Sequence, residues 1–404
     1  MNARALPSRS ALASHWTLSD EVVFLNHGSF GATPRMVLEA QSELRARLES
    51  EPVRFMLREL EPLIDASRDS LAALVHCDAE GLAFVSNATA GVNTVLRSLD
   101  LSPGDELVTT DHEYNACKNA LDFVAERSGV RVVVVRIPLP VASQDEVVAA
   151  IDAELGPKTR LLLIDHVTSP TALVMPVEAI AKCAHRKGID VLVDGAHAPG
   201  MLPLSIDALG VAYYTANCHK WICAPKGAAM LYVRKDKRAH VRPLSISHGA
   251  NSLRTDRAHF RLEHDWTGTC DPTAAICVKH AIDFMSRLWP GGLAELMQRN
   301  RRLALHARTV LCDALGQRPE CPDGMIGSMA AVRLPDRQSA AISRSVIAIE
   351  PLQDRLFEAH AIEVPIVPWP ASPKRLVRVS AQAYNAIAEY EYLAEALKTA
   401  LAAE

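Results

Sequence analysis

Five clusters of polar residues follow β-branched runs in the middle of the chain. They are Ser86-Asn87-Ala88-Thr89, Asp111-His112-Glu113-Tyr114-Asn115, Asp165-His166-Val167-Thr168, Asp194-Gly195-Ala196-His197 and Asn217-Cys218-His219-Lys220-Trp221. Ligand sites of open parallel sheets lie beyond the carboxyl ends of the strands, so these clusters are predicted to share one edge. Asp194 and Lys220 close successive strands there. A lysine that can form a Schiff base with an aldehyde, and a carboxylate that can keep a pyridinium nitrogen protonated, are the two groups pyridoxal phosphate chemistry demands. A carboxylate beside a cation has a lowered pKa and stays ionised. Asn87-Ala88-Thr89, at the start of a helical run, offers N–H groups and a hydroxyl to a phosphate.

Other chemistries lack their motifs. Cys218, His219 and Cys223 lie close together with His197 nearby, but their spacing matches no zinc template, so no metal is expected. Neither GxGxxG after a strand nor GxxxxGK[ST] occurs, which removes the nicotinamide and nucleoside triphosphate readings.

The elements that must position these groups follow from the hydrophobic pattern. Short apolar runs alternate with helical stretches from about residue 80 to 233, the spacing of βαβ units. Strands are predicted at Gly81–Val85, Glu106–Thr110, Arg131–Arg136, Leu161–Asp165, Ile189–Asp194, Val211–Thr215 and Ala228–Val233. Runs such as RVVVVR and LLLID are apolar on both faces, as strands covered on both sides by helices are. Val177, Ile180, Ala181 and Ala184 follow the helical period, with Pro176 at the start and Gly188 past the end. A second helix is predicted from Val92, Val95, Leu96 and Leu99. Beyond residue 270, long helical stretches give way to strand-like segments at 330–334, 362–367 and 375–380 and a last helix from about Asn385. The reading is an N-terminal arm (1–35), a large α/β domain (36–285) with a mostly parallel seven-stranded sheet, and a small C-terminal α+β domain (286–404).

Composition narrows the partners. With 43 Lys and Arg against 47 Asp and Glu, the formal charge is −4, unlike the basic surface that displaces counterions from nucleic acid. The opening residues, MNARALPSRSALASHW, hold no apolar run of a secretory leader. No stretch approaches the roughly eighteen apolar residues of a membrane span. Nine cysteines, an odd number without a CxxC pair, fit a reducing cytoplasm.

The Asp194-Gly195-Ala196-His197 and His219-Lys220 pairing, followed by Ala224-Pro225-Lys226-Gly227, resembles the class V aminotransferases, fold-type I pyridoxal phosphate enzymes. Leu25-Asn26-His27-Gly28-Ser29-Phe30-Gly31, Pro52-Val53-Arg54-Phe55, Asp111-His112-Glu113-Tyr114-Asn115-Ala116 and Arg378-Val379-Ser380 are similar to the isopenicillin N epimerase subgroup. The resemblance implies that Lys220 carries the cofactor, Asp194 meets its ring nitrogen, and Thr168 and His197 neighbour its phenolic oxygen. Ala88, Thr89, Asn217 and His219 would hold the phosphate. Tyr114 would stack on the ring, with His112 the less favoured candidate. Gly268 and Thr269 would reach the phosphate of a neighbouring subunit, implying a homodimer with shared active sites. Arg378 would grip the α-carboxylate of a small amino-acid substrate in a bidentate fork. The side-chain pocket would draw on Asn26, His27, Ser29, Phe30, Arg54 and Phe55.

Such a cofactor weakens the bond from Cα to hydrogen, and the freed Lys220 amine serves as base. Three outcomes remain open: epimerisation, elimination of a β-substituent, and transamination. Cysteine desulfurases of this family carry a reactive Cys shortly before the carboxylate-binding Arg, and residues 361–378 contain none. Epimerisation, the favoured reading, needs a proton donor opposite Lys220, for which Tyr114 or His112 is expected; a carbon–sulfur lyase or an aminotransferase is the alternative.

Overall fold

The apolar runs that read as doubly covered strands form the centre of a layered α/β fold. The computed structural model describes residues 6–337 and 349–404. After β1 (Val23–Phe24), the chain forms β2 (Leu82–Val85), β3 (Glu106–Thr110), β4 (Arg131–Val135), β5 (Thr159–Asp165), β6 (Asp190–Asp194), β7 (Tyr213–Asn217) and β8 (Ala229–Val233). β2 to β8 make one seven-stranded sheet in the order β2-β8-β7-β6-β5-β3-β4. β3 to β7 run parallel, and only β8 is antiparallel to its neighbours β7 and β2.

The pleat explains why these strands are apolar throughout. Leu162, Ile164, Val191 and Val193 enter one hydrophobic cluster, while Leu161, Leu163, Leu192 and Leu231 enter the cluster on the opposite face. Successive side chains point to opposite faces, so both layers need an apolar residue at every position. The helix Val177–Arg186 lies where its period and its flanking Pro176 and Gly188 placed it.

β7 lies two residues beyond its predicted span. Its antiparallel ladder with β8 runs from Tyr213 to Asn217 and pulls the polar strand end into the sheet. Val211 and Ala212 are buried but precede the strand.

The smaller sheet has the order β11-β12-β9, formed by β9 (Met329–Leu334), β11 (Ile366–Pro368) and β12 (Arg375–Ser380). The predicted single run at 362–367 is split: β10 (Ile362–Glu363) pairs with β1 in the arm instead. Pro365, which has no N–H to donate, separates the two pieces. Positions 375 and 378 are three residues apart on β12, so they face opposite sides. Arg375 is buried against Glu350, 2.8 Å away, and pairs also with Glu404. Arg378 turns toward the large sheet's carboxyl edge, where Ser169 takes its guanidinium. Among the described residues no helix is long and apolar enough to cross a membrane.

Leu192 is fully buried at the centre of the sheet. Replacing it with Ala should cost about 2–5 kcal/mol of stability, measured by denaturant unfolding. A loss below about 1 kcal/mol would contradict the doubly covered sheet.

Candidate active site

The ends of β3, β5, β6 and β7 converge on one edge, as strand polarity requires. Asp165 and Asp194 are register partners in the β5–β6 ladder, so they emerge side by side. Asp194 is buried, and its Oδ1 accepts from the Ala196 N–H at 2.9 Å. Its Oδ2 accepts from the Cys117 thiol at 3.3 Å. Burial raises the Asp194 pKa against the opposing effects of these two hydrogen bonds and of Lys220. Glu113, also buried, is raised first by burial and then by Asp194. Asp165 is buried with one oxygen, Oδ2, unpartnered. Glu113, Cys117 and Asp194 bring their polar atoms within 4.8 Å of one another. This cluster of acids with an unmet acceptor suits a cationic nitrogen better than it suits any further carboxylate.

Lys220 stands across from this cluster. Its Nζ is 3.1 Å from His197 Nε2, while His197 Nδ1 is 3.3 Å from Trp221 Nε1. An indole nitrogen only donates, so Nδ1 is the acceptor and the imidazole proton sits on Nε2. That N–H faces Nζ, and only a neutral amine can accept it. Burial and then Arg378 lower the Lys220 pKa to about 8, which brings the neutral form within reach of physiological pH. His197 is pushed well below its usual value, first by burial and then by Lys220.

Arg378 is buried and its Nε has no partner. Its Nη1 bonds Ser169 Oγ at 3.3 Å and its Nη2 bonds Ser29 Oγ at 3.1 Å. No carboxylate of the described residues pairs with it. Glu363, in β10, instead accepts from Asn26 and Gln353 at 3.0 Å. Burial without a counter-ion lowers Arg378 to about 10. An uncompensated buried guanidinium held by neutral oxygens is a site for an anion.

Ala88 opens the helix Ala88–Leu96, whose N-cap Asn87 accepts from Ala90 N–H at 2.8 Å. The Thr89 hydroxyl bonds no side chain or backbone group among the described residues and is free for a phosphate. The Ala88 N–H, expected to be free, is taken by Asn217 Oδ1 at 2.9 Å. Asn217 therefore orients the helix start, and its amide nitrogen is what remains for a ligand. His219 is partly buried, with Nδ1 3.3 Å from Ala228 O. Gly268 and Thr269 are exposed; Gly268 lines a cavity of about 540 Å³ with Ser86 and Ala90.

Several predicted assignments change. Thr168 Oγ1 accepts from Leu173 N–H at 2.8 Å and contacts Thr171 Oγ1 at 2.7 Å; Thr171 in turn contacts His112 Nδ1 at 2.7 Å. His112 Nε2 faces Ile137 O at 3.2 Å, so Nε2 donates and Nδ1 accepts. The single proton of Thr168 is then spent on Thr171, and none remains for a phenolic oxygen. His112 is itself fully engaged and packs on Trp369 at 4.2 Å, so it is no free acid. His27, placed in the substrate pocket by sequence, is fully buried with both ring nitrogens engaged. Arg54 is exposed and paired with Glu51 and Glu59, while Phe55 is buried with Leu60 and Ile276 and Phe30 stands exposed. This chain thus does not bring Arg54 or Phe55 to the Lys220 edge. Asn26 and Ser29 do arrive: Asn26 Oδ1 accepts from Ser29 Oγ, which also accepts from Arg378. Tyr114 is 46% exposed, and its pKa is raised by partial burial and then by Cys117 and Asp194, against the opposing pull of Arg378.

A sheet and edge of this kind define a fold-type I enzyme. The sequence matches the family Aminotransferase class-V over residues 23–324. Isopenicillin N epimerase of Amycolatopsis lactamdurans is 37% identical, covering 95% of this chain and 96% of the relative. A probable chloroplastic L-cysteine desulfhydrase of Arabidopsis thaliana is 31% identical over 96% of this chain and 85% of its own length. Among solved structures, a cysteine desulfurase from Thermococcus onnurineus NA1 superposes with a TM-score of 0.80 at 19% identity, covering 99% and 100% of the two chains. A mutant of C-DES, with glycine covalently linked to its PLP cofactor, gives 0.77 at 24% identity over 94% and 96%. The chain belongs to the class V aminotransferase family and is a pyridoxal phosphate-dependent enzyme of that family.

The neutral amine has a direct consequence. Trace acetylation of Lys220 in the cofactor-free protein, followed by peptide mass mapping, should rise with pH and level off above about 8. Arg378→Gln removes a cation that lowers this pKa, so it should shift the curve to higher pH. A profile like that of a surface lysine, near about 10.4, would contradict the geometry.

Proposed function

We propose that this chain acts at the α-carbon of an amino acid, with Lys220 as the cofactor-bearing amine and base and with epimerisation as its reaction. The observation that carries the reading is Arg378: a buried cation, lacking a counter-ion among the described residues, on the edge that holds Lys220. Asp194 would meet the ring nitrogen, and the start of the helix Ala88–Leu96 with Thr89 would hold the phosphate. The cofactor, when bound, draws electrons from the bonds at Cα and so makes the α-proton removable.

The residues of the chain supply the rest. Arg378 exchanges its contacts with Ser29 and Ser169 for the substrate carboxylate and so fixes the orientation of Cα. Lys220 Nζ, in its neutral form, takes the proton from one face. Tyr114 Oη, half exposed and within the field of Arg378, delivers a proton to the other. Its raised pKa keeps it protonated, as a donor must be. His197 holds Nζ through its Nε2–H. The exposed Gly268 and Thr269 support a homodimer in which each copy completes the other's phosphate site, and the cysteine content supports a cytoplasmic enzyme.

The second reading, a carbon–sulfur lyase, is favoured by the desulfhydrase relatives. It requires only Lys220 and a leaving group. The holoenzyme incubated in deuterated water with isopenicillin N, L-cysteine and other L-amino acids separates the two. Deuterium at Cα with inverted configuration is the expected result; pyruvate, ammonia and sulfide from L-cysteine would favour the lyase instead. Tyr114→Phe should reduce inversion by roughly 10²-fold or more while leaving any elimination largely intact. Equal loss of both would remove Tyr114 as the opposite-face donor.

A further inference from the structure

The segment that carries Lys220 is held from outside. His27 lies in the short helix His27–Phe30 of the N-terminal arm, fully buried, with its Nε2 3.0 Å from the main-chain carbonyl of Lys220. The same carbonyl accepts from the Cys223 N–H at 3.0 Å, closing a turn in which Cys223 adopts φ 62°. A non-glycine residue in that region is strained, so the turn persists because its surroundings fix it. On the other side of the imidazole, Nδ1 is 2.7 Å from the Tyr384 hydroxyl. The ring also lies 4.8 Å from that of Trp221, the residue after the lysine.

The tautomer follows from the partners. A carbonyl only accepts, so Nε2 carries the proton; the Gln382 amide nitrogen, 3.3 Å from Nε2, then donates to Cys223 Sγ at 3.6 Å, and Nδ1 accepts from Tyr384. Burial keeps the ring uncharged. The rest of the arm fastens the same segment. Thr33 Oγ1 donates to Ala224 O at 3.1 Å, and Lys226 Nζ donates to Gly31 O at 3.2 Å. Gly31 has φ 67°, and a Cβ there would lie 1.9 Å from His219 O, so only glycine permits this approach. At its other end the arm is tied to the small sheet by Gly28 N–H donating to Ser380 Oγ at 3.0 Å.

We infer that His27 is a positioning residue for Lys220: its Nε2–H fixes the lysine's main-chain carbonyl, and Tyr384, donating to Nδ1, fixes the imidazole. The inference rests on the reading of Lys220 as the cofactor-bearing amine. Releasing that carbonyl lets the backbone at Lys220 shift, which carries Nζ away from His197. Small displacements of a reacting group lower rates steeply, while Arg378 and its grip on a carboxylate are untouched.

The test uses the holoenzyme and the variants His27→Ala, His27→Gln and Tyr384→Phe, with thermal unfolding as a check on folding. The first readout is the pH at which the visible absorption of the lysine-bound cofactor changes. The second is α-proton exchange of L-cysteine in deuterated water. His27→Ala should move the absorption change by about one pH unit and lower kcat about tenfold with little change in KM, the scale of one lost hydrogen bond. His27→Gln, whose Nε2 can still donate to the carbonyl, should restore most of both. Tyr384→Phe should act in the same direction and more weakly. The inference is overturned if His27→Ala folds and titrates like the parent, or if KM rises while the absorption is unmoved, which a substrate-pocket role predicts. Should His27→Ala fail to fold, native titration and kcat in Tyr384→Phe would overturn it. Failure of the underlying reading is distinct: Lys220→Ala would then keep the parent's absorption.

Discussion

A buried charge must find its opposite, and the active edge of this protein is organised by charges left partly unmatched. Lys220 and Arg378 are basic groups whose pKa values burial lowers, Arg378 adding to the effect at Lys220. Asp194, Asp165 and Glu113 are acids whose pKa values burial raises. In an ordinary core such groups would pair and vanish from the chemistry, as Arg375 does with Glu350 and Glu404 on the other face of the same strand. Here neutral partners hold them instead: a thiol and an N–H for Asp194, two serines for Arg378, an imidazole for Lys220. That arrangement relies on a rigid surrounding sheet, and on the proposed reading it suits a cofactor with a cationic ring nitrogen and an aldehyde together with the carboxylate of an amino-acid substrate.

The fold supplies the rigidity. Parallel strands deliver their polar ends to one edge, and the hydrophobic clusters on both faces prevent the sheet from yielding. The arm and the small sheet then close the edge from above, with Ser29 on Arg378 and His27 beneath Lys220. Elements distant in sequence thereby converge on the few ångströms where Cα chemistry would occur.

Much of this was legible in the sequence because strand periodicity and strand-end residues carry it. The Asp194 and Lys220 pair, Thr89 at a helix start and Arg378 near the C-terminus stand out by residue type and place. What could not be read were hydrogen bonds whose direction depends on three-dimensional neighbours. His27, His112 and Thr168 looked like ligands because polar residues in such motifs often are; their partners, Tyr384, Thr171 and Leu173, are fixed only by folding. Cys117 gave no signal beyond lying on the helix after Tyr114. Asp165 did give one, as a strand-end acid beside Asp194, but periodicity cannot reveal that the two are register partners. Phe55 went the other way: its position beside Arg54 in a motif concealed an ordinary core side chain.

The covalent attachment of the cofactor is the most direct test of the whole account. Reduction of the purified holoenzyme with borohydride, followed by proteolysis and mass mapping, should place a pyridoxyl phosphate adduct on the peptide containing Lys220 and bleach the visible absorption. An adduct on any other lysine, or a protein that takes up no cofactor, would contradict it.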